Sequence, residues 1–204
     1  MSAAKISRRE DILQTLAQML KSHPGERITT AALARQVGVS EAALYRHFPS
    51  KAKMFEALIE FAEEIIFSRI TLILKEQKLG MNRCGQILKL IIAFTDQNPG
   101  LCRVLTGDAL QGENERLRKR VSQIFERVET QLKQILRQAE LQEGLVTRQS
   151  TTVIANLLVA SVEGRISQYI RSGFARSPNE HWDDQWLFFA EHLLHTQKFT
   201  SPSV

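Results

Sequence analysis

Between residues 113 and 143 the chain places Leu117, Val121, Ile124, Val128, Leu132, Ile135 and Ala139 at steps of 4, 3, 4, 4, 3 and 4. That spacing lines all seven side chains along one face of an α-helix. It does not suit a strand, whose faces alternate every second residue. The steps approximate an 11-residue repeat, so the helix predicted over Glu113–Glu143 and closed by Gly144 is nearly straight, not wound into a left-handed coiled coil. An apolar stripe of that length has to be covered by other helices. Arg116, Lys119, Arg120, Arg127, Lys133 and Arg137 read as the opposite, solvated face. The chain is thereby constrained towards a helical bundle.

The remaining segments agree. Ser7-Arg8-Arg9-Glu10 has the form of a capping box, with Ser7 as N-cap and Glu10 at N3. It opens a first helix through Ile12, Leu13, Leu16, Met19 and Leu20, ending at His23-Pro24-Gly25. A second helix starts near Thr29/Thr30 and runs through Leu33 and Val37 to Gly38, a natural left-handed C-terminal position. Ser40 caps a third, Glu41–His47, which Pro49 stops by excluding Phe48 from helical dihedrals. Ser50 caps a fourth, from Lys51 to about Gln77. Then come a helix over about Asn82–Gln97, a break at Asn98-Pro99-Gly100, a short helix Leu101–Leu110 and the long helix. Two more, about Ser150–Ser172 and Asp183–Lys198, flank a loop at Gly173–Asn179. With no alternating β-branched run, the fold class is all-α with about nine helices.

Composition narrows the setting. No apolar run approaches the ~20 residues of a membrane span, and the N-terminus lacks the apolar stretch of a secretory signal. A cytoplasmic protein with no membrane partner is expected. Cys84 and Cys102 stand far apart without a CxxC spacing and read as free thiols in a reducing compartment. Of 27 basic and 22 acidic residues, nine and four lie within residues 1–53, which leaves eighteen of each elsewhere. The whole excess of +5 therefore sits in the first quarter of the chain. A basic end on a neutral body fits a polyanion-binding module, although a basic solvated surface has the same charge.

The segment "VGVSEAALYRHFPSK" (residues 37–51) decides between those two. Two short helices joined by a Gly38-Val39-Ser40 turn form a helix-turn-helix. Leu33, Val37, Val39, Leu44 and Phe48 turn inward, leaving Ser40, Glu41, Ala42, Tyr45 and Arg46 outside. A helix entering the major groove must approach base edges closely, which explains the small Ala42 and Ala43 near its start. Tyr45, Arg46, His47 and Lys51 cluster at its far end, within reach of phosphates. Thr29 and Thr30 offer hydroxyls and helix N-terminal N–H groups to another phosphate. Residues 1–50 thus form a DNA-binding unit, with the helix-turn-helix at about 30–49 and an extension into helix four to about residue 67. Residues 51–204 form a helical regulatory and dimerisation unit.

"ITTAALARQVGVSEAALYRHFPSKAKMFEAL" (residues 28–58) resembles the DNA-binding segment of TetR-type regulators, including the LYRHF-P-SK signature. The resemblance implies a TetR-like fold: three N-terminal helices, a C-terminal bundle, and a homodimer built through the last two helices on a near-palindromic double-stranded site. "SRREDILQTLAQML", "RITLILKEQK", "NPGLCRVLTGDAL" and "ERVETQLKQILRQ" are similar to the nucleoid-occlusion branch of that family. That branch implies a nucleoid-associated inhibitor of cell division that binds the C-terminal tail of FtsZ and disrupts FtsZ polymers. By matching positions, Phe61, Arg69, Leu90 and Asn98 would line a tail groove between helices four and five, while Ala93 and Gln97 stand where the branch has glycine and arginine. A conventional repressor released by a small effector is the alternative, and it shares the same DNA chemistry.

Other features carry less. His192 and His195 share a helix face near His181 and Glu191, but no HExxH motif or ligating cysteine accompanies them, so no metal or cofactor is expected. Trp182, Trp186 and Phe189, with Phe188 beside them, read as core or dimer interface. Ala155, Ala160, Ser161 and Gly164 permit close helix contact in the preceding helix. Glu63, Glu64, Asp96 and Glu163 sit in apolar stretches without a pairing that spacing establishes. No nucleophile motif or phosphate loop is present, so no catalytic residues are assigned and no enzyme is expected.

Overall fold

The computed structural model describes residues 7–23 and 25–196, the side chains of 195 and 196 excepted. Pro24 and Lys198, named above as helix limits, lie outside the described residues. Nine α-helices are present among them: α1 (Arg8–Ser22), α2 (Thr30–Val37), α3 (Glu41–His47), α4 (Lys51–Glu76), α5 (Gly80–Gln97), α6 (Pro99–Leu105), α7 (Glu115–Gln142), α8 (Thr151–Arg171) and α9 (Trp182–Leu193). The capping box of α1 forms as the sequence requires, with Ser7 Oγ accepting from the Glu10 N–H and Glu10 accepting from the Ser7 N–H. Those bonds hold the Glu10 carboxyl below its ordinary value of 4.5.

Three expectations need correction. The segment 101–110 is not one helix: α6 stops at Leu105, and Gly107 with φ +78 turns the chain into a short 3-10 turn at Asp108–Leu110. The last helix ends at Leu193. Leu194–Thr196 (β2) pairs antiparallel with Leu145–Thr147 (β1), and the Arg148 N–H donates to the Leu193 carbonyl. Strands of three residues are too short to carry an alternating pattern, and the pairing satisfies backbone groups where two connections meet. The basic face of α7 is also not simply solvated. Arg120 bonds Glu63 at 2.6 Å and lies within 4.0 Å of Glu56 and Glu60, all on α4. Arg127 reaches Glu63 and stacks 3.6 Å from the Phe67 ring centroid.

The seven stripe residues of α7 are all buried, against α5 and α8. Buried side chains run without a break from Ile12 in α1 to Leu194. The two ends of the molecule are joined where α6 packs on α1. Gly100 makes that approach possible, because a Cβ there would fall 2.0 Å from the Ala17 carbonyl oxygen. Arg103, only 2% exposed, donates to the Leu20 and His23 carbonyls at the end of α1 and pairs with Asp108. The buried guanidinium is tolerated because its Nε and Nη1 are bonded to a carboxylate and two carbonyls. Cys84 and Cys102 are unpaired and buried, and burial pushes both thiols up to about 12. At neutral pH they are protonated and unreactive. No helix of the described residues is long and apolar enough to cross a membrane.

Candidate DNA interface and α4–α5 groove

Each helix of the candidate DNA-binding unit is started by a hydroxyl. Thr29 Oγ1 accepts from the Ala32 N–H at 3.1 Å, Ser40 Oγ from Ala43 at 3.2 Å, and Ser50 Oγ from Lys53 at 3.2 Å. Gly38 adopts φ +78 with open space around its α-carbon, so the turn requires glycine for its backbone and not for room. Leu33, Leu44 and Phe48 are buried, and Val37 and Val39 pack against them. Ser40, Glu41, Ala42, Tyr45, Arg46 and His47 are exposed, and Ala43 is half-buried. The outward set anticipated from the sequence therefore lies on one accessible surface of α3.

The structure adds bonds that spacing alone did not reveal. Thr30 donates its hydroxyl to Glu41 at 2.8 Å, and the Tyr45 hydroxyl donates to Thr30 at 3.4 Å. Glu41 thus braces α3 against α2. Lys51 does not stand free beside its neighbours: its ammonium bonds Glu113 at 2.7 Å in a sheltered pair. Arg9 lies with its guanidinium 4.8 Å from the Phe48 ring centroid, on the same half of the molecule.

α4 and α5 are joined by three residues, Gln77–Leu79, and pack on one another. Equal rise away from that loop brings Arg69 level with Ile87 and Phe61 level with Thr95, so Leu90 and Asn98 lie roughly 4.5 Å further along α5. Phe61, Ile65, Arg69 and Leu72 follow steps of 4, 4 and 3 on one face of α4. Phe61 and Leu72 are 46% and 43% exposed, large values for side chains of this kind. Arg69 is exposed and makes no ion pair among the described residues. On α5, Leu90 and Ala93 are half-buried and Gln97 is exposed. Asn98 closes α5, its side-chain amide donating to the Phe94 carbonyl at 2.7 Å. The other edge of α5 is covered: Lys89 pairs with Asp183, and Asp96 accepts from Ser177 and Asn179 in the loop before α9. Among the described residues no group of three His, Cys, Asp or Glu side chains is arranged to hold a metal ion. His195 lies outside the described side chains.

α8 and α9 present a second apolar surface. Val153 and Leu157 on α8, and Leu187 and Phe188 on α9, are all exposed, while Trp182 is buried. Two clefts open nearby. One of about 330 Å³ lies between α8 and the loop before α9, lined by Ala160, Gly164 and Arg165. The other, of about 280 Å³, lies between Leu105–Gly107, α7 and α8.

The architecture, a helix-turn-helix unit seated on a helical bundle, defines the class. Residues 12–58 match the family described as bacterial regulatory proteins, tetR family, and residues 78–194 match the SlmA-like tetracyclin repressor-like C-terminal domain. The solved MbdR regulator from Azoarcus sp. CIB superposes with a TM-score of 0.77 at 17% identity, over 92% of this chain and 99% of that one. The ketosteroid regulator KstR2 of Mycobacterium tuberculosis gives 0.75 at 17% identity, over 97% and 99%. At such identities the two share the fold. The nucleoid occlusion factor SlmA of Shewanella amazonensis is 61% identical over 190 residues, 93% of this chain and 96% of its own length. That of Shewanella halifaxensis is 58% identical over 193 residues, 95% and 98% of the two chains. The chain belongs to the TetR family and, within it, to the SlmA group.

Proposed function

We propose that the protein is a nucleoid occlusion factor: a homodimer that binds near-palindromic chromosomal sites through α2 and α3 and, through the α4–α5 groove, takes the FtsZ C-terminal tail and disrupts FtsZ polymers. Membership of the SlmA group carries this reading. The exposed Phe61–Leu72 stripe, with an unpaired Arg69 inside it, gives an extended peptide apolar contact and a partner for a carboxylate. The apolar surface of α8 and α9 is suited to a second copy, giving a four-helix interface and two recognition helices related by a two-fold axis.

The test is a titration with FtsZ C-terminal tail peptide, with and without duplex DNA. Saturable binding that Arg69→Asp abolishes, with DNA affinity unchanged, is the expected result. No binding in either condition overturns the division-inhibitor reading and leaves a TetR-type repressor.

A further inference from the structure

The connection between α6 and α7, residues 106–114, is held against the DNA-binding half at separate points. Asp108 pairs with Arg103, whose guanidinium holds the last carbonyls of α1. A Cβ on Gly112 would lie 4.0 Å from the Arg27 guanidinium in the connection before α2. Glu113 bonds Lys51, the first residue of α4.

The third contact is unlike the others. Lys51 follows the recognition helix α3 by only a few residues, at the end where Tyr45, Arg46 and His47 are exposed. The side chains of Lys51 and Glu113 are 17% and 10% exposed, so neither charge is left to water alone. The first turn of α4 holds Lys51 and Lys53 and no acid, the reverse of what a helix dipole favours. Lys53 is matched within its own helix by Glu56, whereas Lys51 takes its anion from a different element. An ammonium on a four-carbon stem re-pairs by a change of rotamer, unlike the forked Arg103, which is tied to three partners at once. Breaking such a sheltered pair is costly unless another anion replaces the lost one, and a DNA backbone at the end of α3 supplies that anion.

We propose that Glu113 holds the place of a DNA phosphate. In the free protein it neutralises Lys51. When DNA binds, Lys51 passes to a phosphate, Glu113 turns to solvent, and one tie between the 106–114 connection and the DNA-binding half is released. The inference rests on the DNA-binding reading and adds an element that reports DNA occupancy to the bundle.

Affinity for a duplex site, measured by fluorescence anisotropy across a salt series, tests it. Each phosphate contact contributes about 0.9 to the slope of log affinity against log salt. Lys51→Gln is expected to flatten the slope by about 0.9 per protomer and weaken binding. Glu113→Gln is expected to keep the wild-type slope and bind a few fold tighter, since no carboxylate competes. In the unaltered protein, amide hydrogen exchange across 106–114 is expected to rise when DNA is added, a readout independent of whether either variant folds. An unchanged slope in folded Lys51→Gln, or exchange that is unchanged or slower with DNA, overturns the proposal. Failure of the wild type to bind duplex DNA removes the DNA-binding reading as well.

Discussion

Thr29 has two demands on one hydroxyl. It caps α2 by accepting from Ala32, and under the proposed function it also meets a DNA phosphate at the start of that helix. Losing a cap of this kind costs about 1 kcal/mol. Thr29→Ala is therefore expected to lower both the melting temperature and DNA affinity, while Thr29→Ser retains both. Tyr45→Phe removes only an exposed hydroxyl bond and separates the effects: unchanged melting with weakened DNA binding is expected. A large drop in melting temperature for Tyr45→Phe would mean that this residue supports the fold and not the interface. The sequence placed Thr29 at the start of the second helix, and the structure shows that it is the cap. The Tyr45–Thr30–Glu41 chain was not legible, because it depends on how α2 crosses α3.

Most helix limits were legible where a local residue enforces them. The Ser7–Glu10 box, Gly38, Ser40, Ser50 and Pro49 act within a turn of their own position, and the observed boundaries follow them. The division of 101–110 was missed although a local residue, Gly107, marks it, whereas the end of α9 was misread because the β1–β2 pairing is set by neighbours distant in sequence. The α1–α6 contact is of the same kind. Gly100→Ala drives a Cβ into the Ala17 carbonyl, and overpacking of this sort costs roughly 1–3 kcal/mol. Chemical denaturation should show that loss with the denaturant dependence little changed. A variant as stable as the parent would show that α6 can slide on α1 freely.

At the scale of the molecule, α8 and α9 leave Leu157 and Phe188 43% and 57% exposed in a single protomer. A charge at either position meets water in the isolated chain and a desolvated neighbour in a dimer. Leu157→Glu and Phe188→Glu are thus expected to fold, to sediment as monomers, and to lose affinity for a two-half-site duplex more than for a single half-site. Dimers that survive both substitutions would relocate the interface.

The amino-acid sequence alone determined the all-α class, the helix-turn-helix, its outward side chains and the family. Each rests on short-range periodicity, capping or a contiguous motif. Tertiary structure alone decided which charges are paired. Lys51 with Glu113, Arg103 with the end of α1, and Arg120 with the glutamates of α4 join residues on different elements. Helical periodicity tells which way a side chain points around its own axis. What stands opposite depends on how whole helices cross, and that is fixed only when the chain packs.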